Sequence, residues 1–538
     1  MTKKAEPYVF VALILLNLFP ILSNKFFPTM DGPAHLYNSN LLKEIITNPS
    51  TKLLSYYSFN DQIVNWLDHV LLTSFLLILP AYLAEKLLLF IYIAGLPLAF
   101  RELIKSLAPQ NIELSSIIFP ILYTFLFILG FYNYSLALII LLILCNYYIK
   151  NINKISARSL VVFFALFTLL FYAHVFVFSI GILIILLLFA AETIQHLVNN
   201  TRNVKFLLGK AIILIISACI GIIHFVSFIT KNPADIKNVE KIGFYELLSW
   251  MVTLRPTIAY SRTGESRYTI LLFIIYLISA AIILFIRFKN SKKNTFNNHS
   301  VKRKMDKKIF IHVYIYDIWL LISILLTILF FIIPNYIGGI GGHISFRIGI
   351  IAIISYLIWL VANNIPSLLK KINIIVAIAI CILLIPRYHR KISKLNEEIP
   401  GILNAGKIIE SHSTVLPVRL SDYWLHTHYS NYLGVNKPMI ILENYEASSG
   451  YFPLVWNREK IPNLLFGNLK DEEICINIPH TNSRKTEIID YVFVYGKDPN
   501  TMRCHEKVNH ILSKYYQVAY ATEDEMIKLY KIRNIPIE

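Results

Sequence analysis

The amino-acid sequence predicts a polytopic α-helical membrane protein, with about 11–13 transmembrane helices and a small C-terminal α/β domain. Of its 538 residues, 56% are hydrophobic and only 16% are charged, whereas soluble proteins average about 25% charged residues. Apolar runs recur through the first 386 residues, and the composition becomes more polar after them. Together these observations exclude a chain built mainly around a water-soluble core.

Twelve segments are mainly apolar over roughly the length, about 20 residues, that a helix needs to cross a bilayer. They are 8–23, 66–82, 84–101, 115–131, 134–149, 159–175, 176–194, 209–229, 268–286, 313–333, 345–362 and 372–386. We expect residues 1–386 to form the membrane domain, with external loops at 24–65 and 230–267. With a cytoplasmic N-terminus, the five expected spans before Lys150 would place that residue outside, whereas the basic residues near it should be cytoplasmic. Either 66–82 and 84–101 are not both full spans, or a re-entrant helix lies within 41–65.

The formal net charge is +18, and the basic residues fall mostly between apolar segments. The most basic loop, 287–312, should be cytoplasmic, because Lys and Arg accumulate on that side of membrane proteins. No basic face interleaved with aromatic residues is present, so we expect the lipid bilayer as a partner and no nucleic acid. The first apolar run is not followed by a small-residue cleavage site, which predicts a retained anchor with a cytoplasmic N-terminus.

The region 387–538 has shorter apolar runs and more charged residues and prolines. Alternation predicts a strand at 488–496, followed by a helix at 502–515 and strands at 516–521 and 526–532. Counting forward from the basic loop places this α/β domain outside the cytoplasm.

The segment after the first apolar run carries an acid and an imidazole, Asp31 and His35. Gly32 and Pro33 end any helix that leaves the span, and Pro33 suits the first turn of a new helix. Asp31 and His35 could then share one acceptor, one proton or one divalent cation. Alternatively, Asp31 is an N-cap and His35 is a packing residue, and the local sequence does not choose between these hypotheses.

Other polar residues lie at expected outer ends of spans. An imidazole in the first turns of a membrane segment needs a partner, and a guanidinium there suits a phosphate. These residues also have structural interpretations. Asp68, which precedes His69, could be an N-cap. His174 could be a hydrogen-bonded turn histidine, and Arg347 could be an arginine whose charge reaches the membrane interface. The candidates for substrate binding are His69, Tyr172, His174, His343 and Arg347.

A single span followed by an acidic external loop resembles the GT-C glycosyltransferases, integral-membrane enzymes that use polyprenyl-phosphate-linked sugars and carry a catalytic acid in that loop. The run from Asp31 to Leu36 resembles the Asp-x-Pro-x-His-Leu pattern of a bacterial, largely uncharacterised GT-C-like group. One departure is that many GT-C enzymes have two adjacent acids, whereas Gly32 follows Asp31. Further short motifs similar to that group are 130–134, 172–174, the Gly-rich turn 338–347, 443–446 and 451–454.

The resemblance implies a multi-pass enzyme of the bacterial inner (cytoplasmic) membrane. It would transfer a sugar, with inversion, from a polyprenyl-phosphate-linked donor to an extracytoplasmic glycan, lipid or protein acceptor. Asp31 would be the general base, and Arg347 would face the leaving phosphate, helped by His35, by His174 or by a divalent cation such as Mg²⁺ or Mn²⁺ held by Asp31 and His35. Two alternatives stay open: a transporter or flippase of a lipid-linked or anionic solute, and a non-catalytic envelope assembly protein that retains the fold.

Overall fold

A computed structural model of the chain describes residues 5–152, 154, 156–199, 204–297, 305–339, 341–457, 459, 465–466, 469–470, 489–497 and 505–533. The chain forms two compact units. Unit 1 comprises Met1–Phe19, Phe90–Ile128 and Asn133–Arg387, and unit 2 comprises Pro20–Leu89, Leu129–Tyr132 and Tyr388–Glu538.

The described residues are largely helical. The α-helices are α1 (Glu6–Leu22), α2 (Gly32–Thr47), α3 (Leu53–Tyr56), α4 (Leu67–Leu76), α5 (Ala81–Leu107), α6 (Phe125–Leu129), α7 (Tyr132–Lys150), α8 (Ala157–Ala173), α9 (Val175–Asn199), α10 (Val204–Lys231), α11 (Phe244–Val252), α12 (Arg262–Asn297), α13 (Met305–Ile332), α14 (Ile344–Ala362), α15 (Ser367–Asn396), α16 (Ile399–Ile408), α17 (Tyr445–Ser448) and α18 (His505–Tyr515). The strands are β1 (Tyr57–Phe59), β2 (Asp235–Glu240), β3 (Tyr336–Gly338), β4 (Thr414–Arg419), β5 (Ile440–Ile441), β6 (Leu454–Trp456), β7 (Leu465–Phe466), β8 (Leu469–Lys470), β9 (Tyr491–Tyr495), β10 (Tyr516–Ala521) and β11 (Ile527–Ile532).

Within the described residues, seven helices are long and apolar enough to cross a membrane, by length and composition. They are Ala81–Leu107, Tyr132–Lys150, Val175–Leu197, Val204–Lys231, Arg262–Lys289, Ile344–Ala362 and Ser367–Ile408. Large apolar side chains point outward along them; Ile215 and Ile223 on α10 are each 65% exposed. Hydrocarbon solvates such side chains and water does not, so the expectation of a polytopic helical membrane protein is confirmed at this level.

Two of the twelve expected spans are not regular spanning helices. Segment 66–82 holds only the ten-residue helix α4, which ends before a break and the start of α5. Segment 115–131 lies in the 3₁₀ helix Pro109–Ile121 and the five-residue α6. Pro120 lacks the backbone N–H that a regular helix needs, and hydropathy alone does not register this break.

Unit 1 is organised around α14, which is buried along nearly its whole length. Helix α13 packs against α14 and α9, and α8 packs against α10. Strands β2 and β3 form an antiparallel pair over the turn that leads into α14. In this turn Gly339 and Gly341 have φ of +80° and +115°, the conformations that the glycines predict.

Unit 2 contains a five-stranded mixed sheet of order β10-β11-β9-β4-β5. Strands β10, β11 and β9 are antiparallel neighbours, while β4 runs parallel to both β9 and β5. The expected strands at 516–521 and 526–532 are therefore confirmed as β10 and β11. The strand expected at 488–496 is β9, and residue 488 lies outside the described residues. The expected helix at 502–515 is α18 from His505 onward, and residues 502–504 lie outside the described residues.

Candidate functional site

Helix α2 begins at Gly32, directly after Asp31, as Gly32 and Pro33 predict. Asp31 occupies the N-cap position, but its side chain makes no capping hydrogen bond; the hydroxyl of Thr29 accepts the Gly32 N–H at 3.0 Å. The Asp31 carboxylate therefore does not cap the helix, although the residue stands at the expected position. Asp31 is 6% exposed, and its carboxylate is left available for other partners within unit 2.

A buried cluster forms around Glu446, which lies in the short helix α17. One carboxylate oxygen, Oε1, lies 2.7 Å from His35 Nδ1, and the other, Oε2, lies 2.8 Å from His69 Nε2. Asp68 Oδ1 lies 2.6 Å from His69 Nδ1, and Asp68 Oδ2 lies 3.6 Å from His35 Nδ1. The far nitrogen of His35, Nε2, contacts the carbonyl oxygen of Gly130 at 3.0 Å. Two imidazoles and two carboxylates thus share a space from which water is nearly excluded.

The cluster is electrostatically self-consistent. Burial lowers the pKa of His69, but the carboxylates of Asp68 and Glu446 outweigh burial and raise that pKa to about 10. Burial raises the pKa of Glu446, but His69 and His35 more than offset it and bring that pKa down to about 2. The pKa of His35 is also raised, since Glu446 and Asp68 overcome the effect of burial. Without a metal, the cluster favours protonated imidazoles beside ionised carboxylates.

A second array links Asp31 to the C-terminal segment. His428 Nε2 lies 3.6 Å from Asp31 Oδ1, and His428 Nδ1 lies 2.6 Å from Glu443 Oε1. Glu443 is fixed by donors from Ser430 and Asn431, both at 2.9 Å. This order of carboxylate, imidazole and carboxylate resembles in its roles the catalytic triads in which a buried acid orients a histidine.

The surroundings of Asp31 tune its acidity. Burial raises the pKa of Asp31 to about 6, although His428 and His35 each lower it, and Tyr445 donates a hydrogen bond to it. The nearby charge of Glu446 acts in the same direction as burial. A carboxyl group with a pKa near the working pH is well matched to proton transfer.

The C-terminal segment is held against α2 by polar contacts among buried side chains. Asn38 and Asn444 exchange amide hydrogen bonds of 3.0 and 2.7 Å. The hydroxyl of Tyr37 donates to the carbonyl of Met439 at 2.8 Å and accepts the Ile441 N–H at 3.0 Å. Asn444 also caps α17 by accepting from the Ala447 N–H. These contacts place Glu443 and Glu446 beside the first expected external loop.

Aromatic side chains surround the histidine pair, His35 and His69. Phe452 has its ring centroid 5.7 Å from that of His35 and 5.5 Å from that of His69, and Tyr132 lies 5.5 Å from His35. Asn60 holds the Phe452 loop by donating to its backbone carbonyl at 2.9 Å. The low dielectric that results strengthens each charged contact in the cluster.

The remaining predicted residues belong to unit 1. The hydroxyl of Tyr134 donates to the backbone carbonyl of Arg347 at 2.7 Å, and its ring lies 5.4 Å from that of His174. The Arg347 guanidinium lies 6.0 Å from the Phe176 ring centroid. Tyr172 instead lies against His224, at 6.2 Å between ring centroids.

His343 belongs to the same cationic region of unit 1. Burial lowers its pKa, and the charges of Arg347 and Arg255 lower it further, to about 4. The His343 imidazole is therefore neutral at pH 7, and the two guanidinium groups carry the positive charge. From the sequence, Arg255 is one of several basic residues of the expected loop 230–267 that could close over an anionic lipid head, although most of them are expected to be solvated.

An apolar groove in unit 1 begins beside Arg255. The guanidinium carbon of Arg255 lies 4.7 Å from the ring centroid of Phe125 and 5.2 Å from that of Phe346, and Phe346 packs on Trp250 at 4.6 Å. The groove lies among α11, α12, α13 and α14. Its lining includes Trp250, Leu254, Pro256, Phe273, Leu277, Phe330 and Gly349. A half-buried cation thus adjoins an apolar trough.

Four residues of the buried site were missed as functional residues: Asp68, His428, Glu443 and Glu446. Asp68 was interpreted as an N-cap, although it lies inside the first turn of α4 and its carboxylate accepts the N–H of His69. Glu443 and Glu446 lay in a motif noted through the resemblance, but no spacing rule connects them to residues about 400 positions earlier. His428 carried no sequence signal.

No family model matches the chain, and no curated protein matches it.

Proposed function

We propose that the chain is a membrane-bound glycosyltransferase that uses a lipid-phosphate-linked sugar and Asp31 as general base. The observation that carries the proposal is the buried array in which Glu443 orients His428 and His428 faces Asp31. A carboxylate kept out of water and beside an oriented imidazole can take a proton from an acceptor hydroxyl.

The proposed reaction is an inverting displacement. Asp31 removes the proton of the acceptor hydroxyl, whose oxygen forms a bond to the anomeric carbon. The bond from that carbon to the phosphate oxygen breaks, and the electron pair leaves with the lipid phosphate. No second carboxylate is needed as a nucleophile, in contrast to retaining glycosidases.

The apolar groove of unit 1 supports the choice of a lipid-phosphate donor. A polyprenyl tail needs an apolar trough, and a phosphate needs fixed cations. The groove provides the apolar trough. Arg255 and Arg347, which both face His343, provide the cations. Guanidinium groups stabilise the charge that grows on a leaving phosphate.

The proposed topology has eleven spans. We remove 66–82, where α4 is only ten residues long, and keep 115–131 as an irregular span, because this choice puts the basic residues near Lys150 in the cytoplasm. Four spans then precede Lys150, which places it in the cytoplasm with the N-terminus. With this odd total, the proposed C-terminal domain lies outside the cytoplasm, and the proposed membrane is the bacterial inner membrane that the resemblance implies.

The substrate class can be tested with the lipid phosphate alone. We expect undecaprenyl phosphate to bind the full-length protein in detergent, and Arg255→Gln and Arg347→Gln to weaken binding by about 10-fold or more each, since a lost charge-assisted contact is worth about 1.5–3 kcal/mol. Arg267→Gln is the matched control, because Arg267 is exposed and stacks on its neighbour Tyr268. Equal affinity in all three variants would remove the phosphate role.

The role of His428 can be tested through the pH profile of sugar transfer. Activity should fall as pH drops through about 6, because Asp31 then becomes protonated. His428→Phe keeps a ring on Tyr445 but removes a positive charge that lowers the Asp31 pKa, so the acidic limb should move to higher pH. His426→Phe is the control, since His426 bonds Ser421 instead. An unshifted limb in His428→Phe would show that His428 does not act on Asp31.

A further inference from the structure

We propose that His35, His69 and Glu446 bind one divalent transition-metal ion of the zinc class, with Asp68 orienting His69. The proposal concerns unit 2 alone and does not rest on the proposed function. It differs from the sequence-based expectation of Mg²⁺ or Mn²⁺ at Asp31 and His35 in two of its ligands and in the class of ion.

The donor atoms are close enough for one ion. Among the described residues, His35, His69 and Glu446 each offer a ligand atom within 4.8 Å of the others, and all three are buried. Ligands at about 2.0–2.1 Å from a tetrahedral zinc ion lie roughly 3.4 Å apart. Glu446 Oε1 lies 2.7 Å from His35 Nδ1 and Glu446 Oε2 lies 2.8 Å from His69 Nε2, closer than two ligands of one ion, so the carboxylate must draw back for an ion to enter between them.

The imidazoles are oriented as metal ligands are. His69 presents Nδ1 to the Asp68 carboxylate at 2.6 Å, which leaves the lone pair of Nε2 directed toward Glu446. His35 presents Nε2 to the Gly130 carbonyl at 3.0 Å, which leaves Nδ1 directed to the same place. A carboxylate or backbone carbonyl behind each histidine is the usual support of a metal-bound imidazole.

The donor set selects the class of ion. Two imidazole nitrogens and one carboxylate suit zinc and its neighbours, whereas Mg²⁺ and Ca²⁺ prefer oxygen ligands. Three protein ligands leave a coordination position for water or a substrate oxygen. The Asp31 carboxylate is directed instead to His428 and Tyr445.

The competing explanation is a metal-free ion-pair network with two protonated histidines. The Gly130 carbonyl can accept a hydrogen bond from His35 Nε2 whether His35 is protonated or bound to a metal. A direct measurement of metal binding must therefore distinguish the two explanations. The full-length protein is purified in detergent, stripped with a chelator, equilibrated with Zn²⁺ alone and desalted, and its zinc content is measured by mass spectrometry. X-ray absorption at the zinc edge then identifies the ligands.

We expect one zinc per chain and an absorption spectrum with two imidazole ligands. His69→Ala and Glu446→Gln should weaken zinc binding by more than about 100-fold, and Asp68→Asn by about 10–100-fold. His426→Ala is the matched control, a buried histidine of unit 2 outside the cluster, and should bind as the wild type does.

Folded wild-type protein that takes up no zinc would overturn the proposal, and so would Glu446→Gln with wild-type affinity. If His69→Ala or Glu446→Gln does not fold, the wild-type stoichiometry and spectrum still decide, because an ion-pair network gives neither. Sugar transfer is not measured in this experiment, so failure here and failure of the proposed function are separate results.

Discussion

Replacing Asp31 with Asn should lower the rate of sugar transfer by about 10²–10⁴-fold, the usual contribution of a positioned general base. Asn keeps the volume of the side chain, and His428 keeps its contact with Glu443 at 2.6 Å, so the fold should be retained. The measurement is kcat in purified, reconstituted protein, with folding followed by thermal unfolding.

The control for this variant is Glu44→Gln. Glu44 lies at the other end of α2 and interacts with Asn48 and His412, so its replacement should leave kcat unchanged. Wild-type activity in Asp31→Asn would remove Asp31 as the base. A variant that folds but transfers no sugar would agree with the proposal.

Replacing Glu446 with Ala should strongly destabilise unit 2. Removal of one partner of a buried ion-pair network leaves the other charges uncompensated, which lowers the free energy of unfolding by about 3–5 kcal/mol. His35 and His69 would both lose a carboxylate oxygen within 2.8 Å. Denaturant unfolding with chelator present measures the change without the contribution of a metal.

The pH dependence of this loss has a defined sign. The pKa of Glu446 is lowered to about 2, so its stabilisation is full above the unfolded value, about 4.3, and is lost toward pH 2. The pKa of His69 is raised to about 10, so its stabilisation is full below about 6.5 and is lost as pH rises through 10. The deficit of Glu446→Ala should therefore be largest between about pH 4.3 and 6.5.

Glu410→Ala is the matched control for stability. Its carboxylate pairs with Lys531 at 2.8 Å but is 69% exposed, and such surface pairs contribute little to the free energy of unfolding. Equal losses in the two variants would show that the cluster around Glu446 does not stabilise unit 2.

From the sequence, Asp31, His35 and His69 are candidate site residues, whereas Asp68, which directly precedes His69, is interpreted as an N-cap. Asp31 and His35 were identified because an acid and an imidazole follow an apolar span, and His69 because a histidine lies in the first turn of an apolar segment. Their partners Glu443 and Glu446 could not be placed, since the contacts that bring them here are tertiary. Asn38 with Asn444 and Tyr37 with Met439 make those contacts, and no periodicity encodes them.

The fold shows the same division between local and tertiary information. Strands β9, β10 and β11 followed from alternation, and the long apolar helices from composition. Hydropathy overestimated the regularity of 66–82 and 115–131, because it measures transfer to hydrocarbon and not the continuity of backbone hydrogen bonding. Pro120 and the break after Leu76 interrupt that continuity.

The most direct test of the central claim is the fate of the donor. The purified protein in nanodiscs is incubated with polyprenyl-phosphate-linked sugars and a mixture of envelope acceptors, and lipid phosphates are followed by mass spectrometry. We predict that free polyprenyl phosphate appears together with a glycosylated acceptor, and that Asp31→Asn forms neither at a comparable rate. Movement of the intact donor across the bilayer without cleavage, or equal cleavage by Asp31→Asn, would contradict the account.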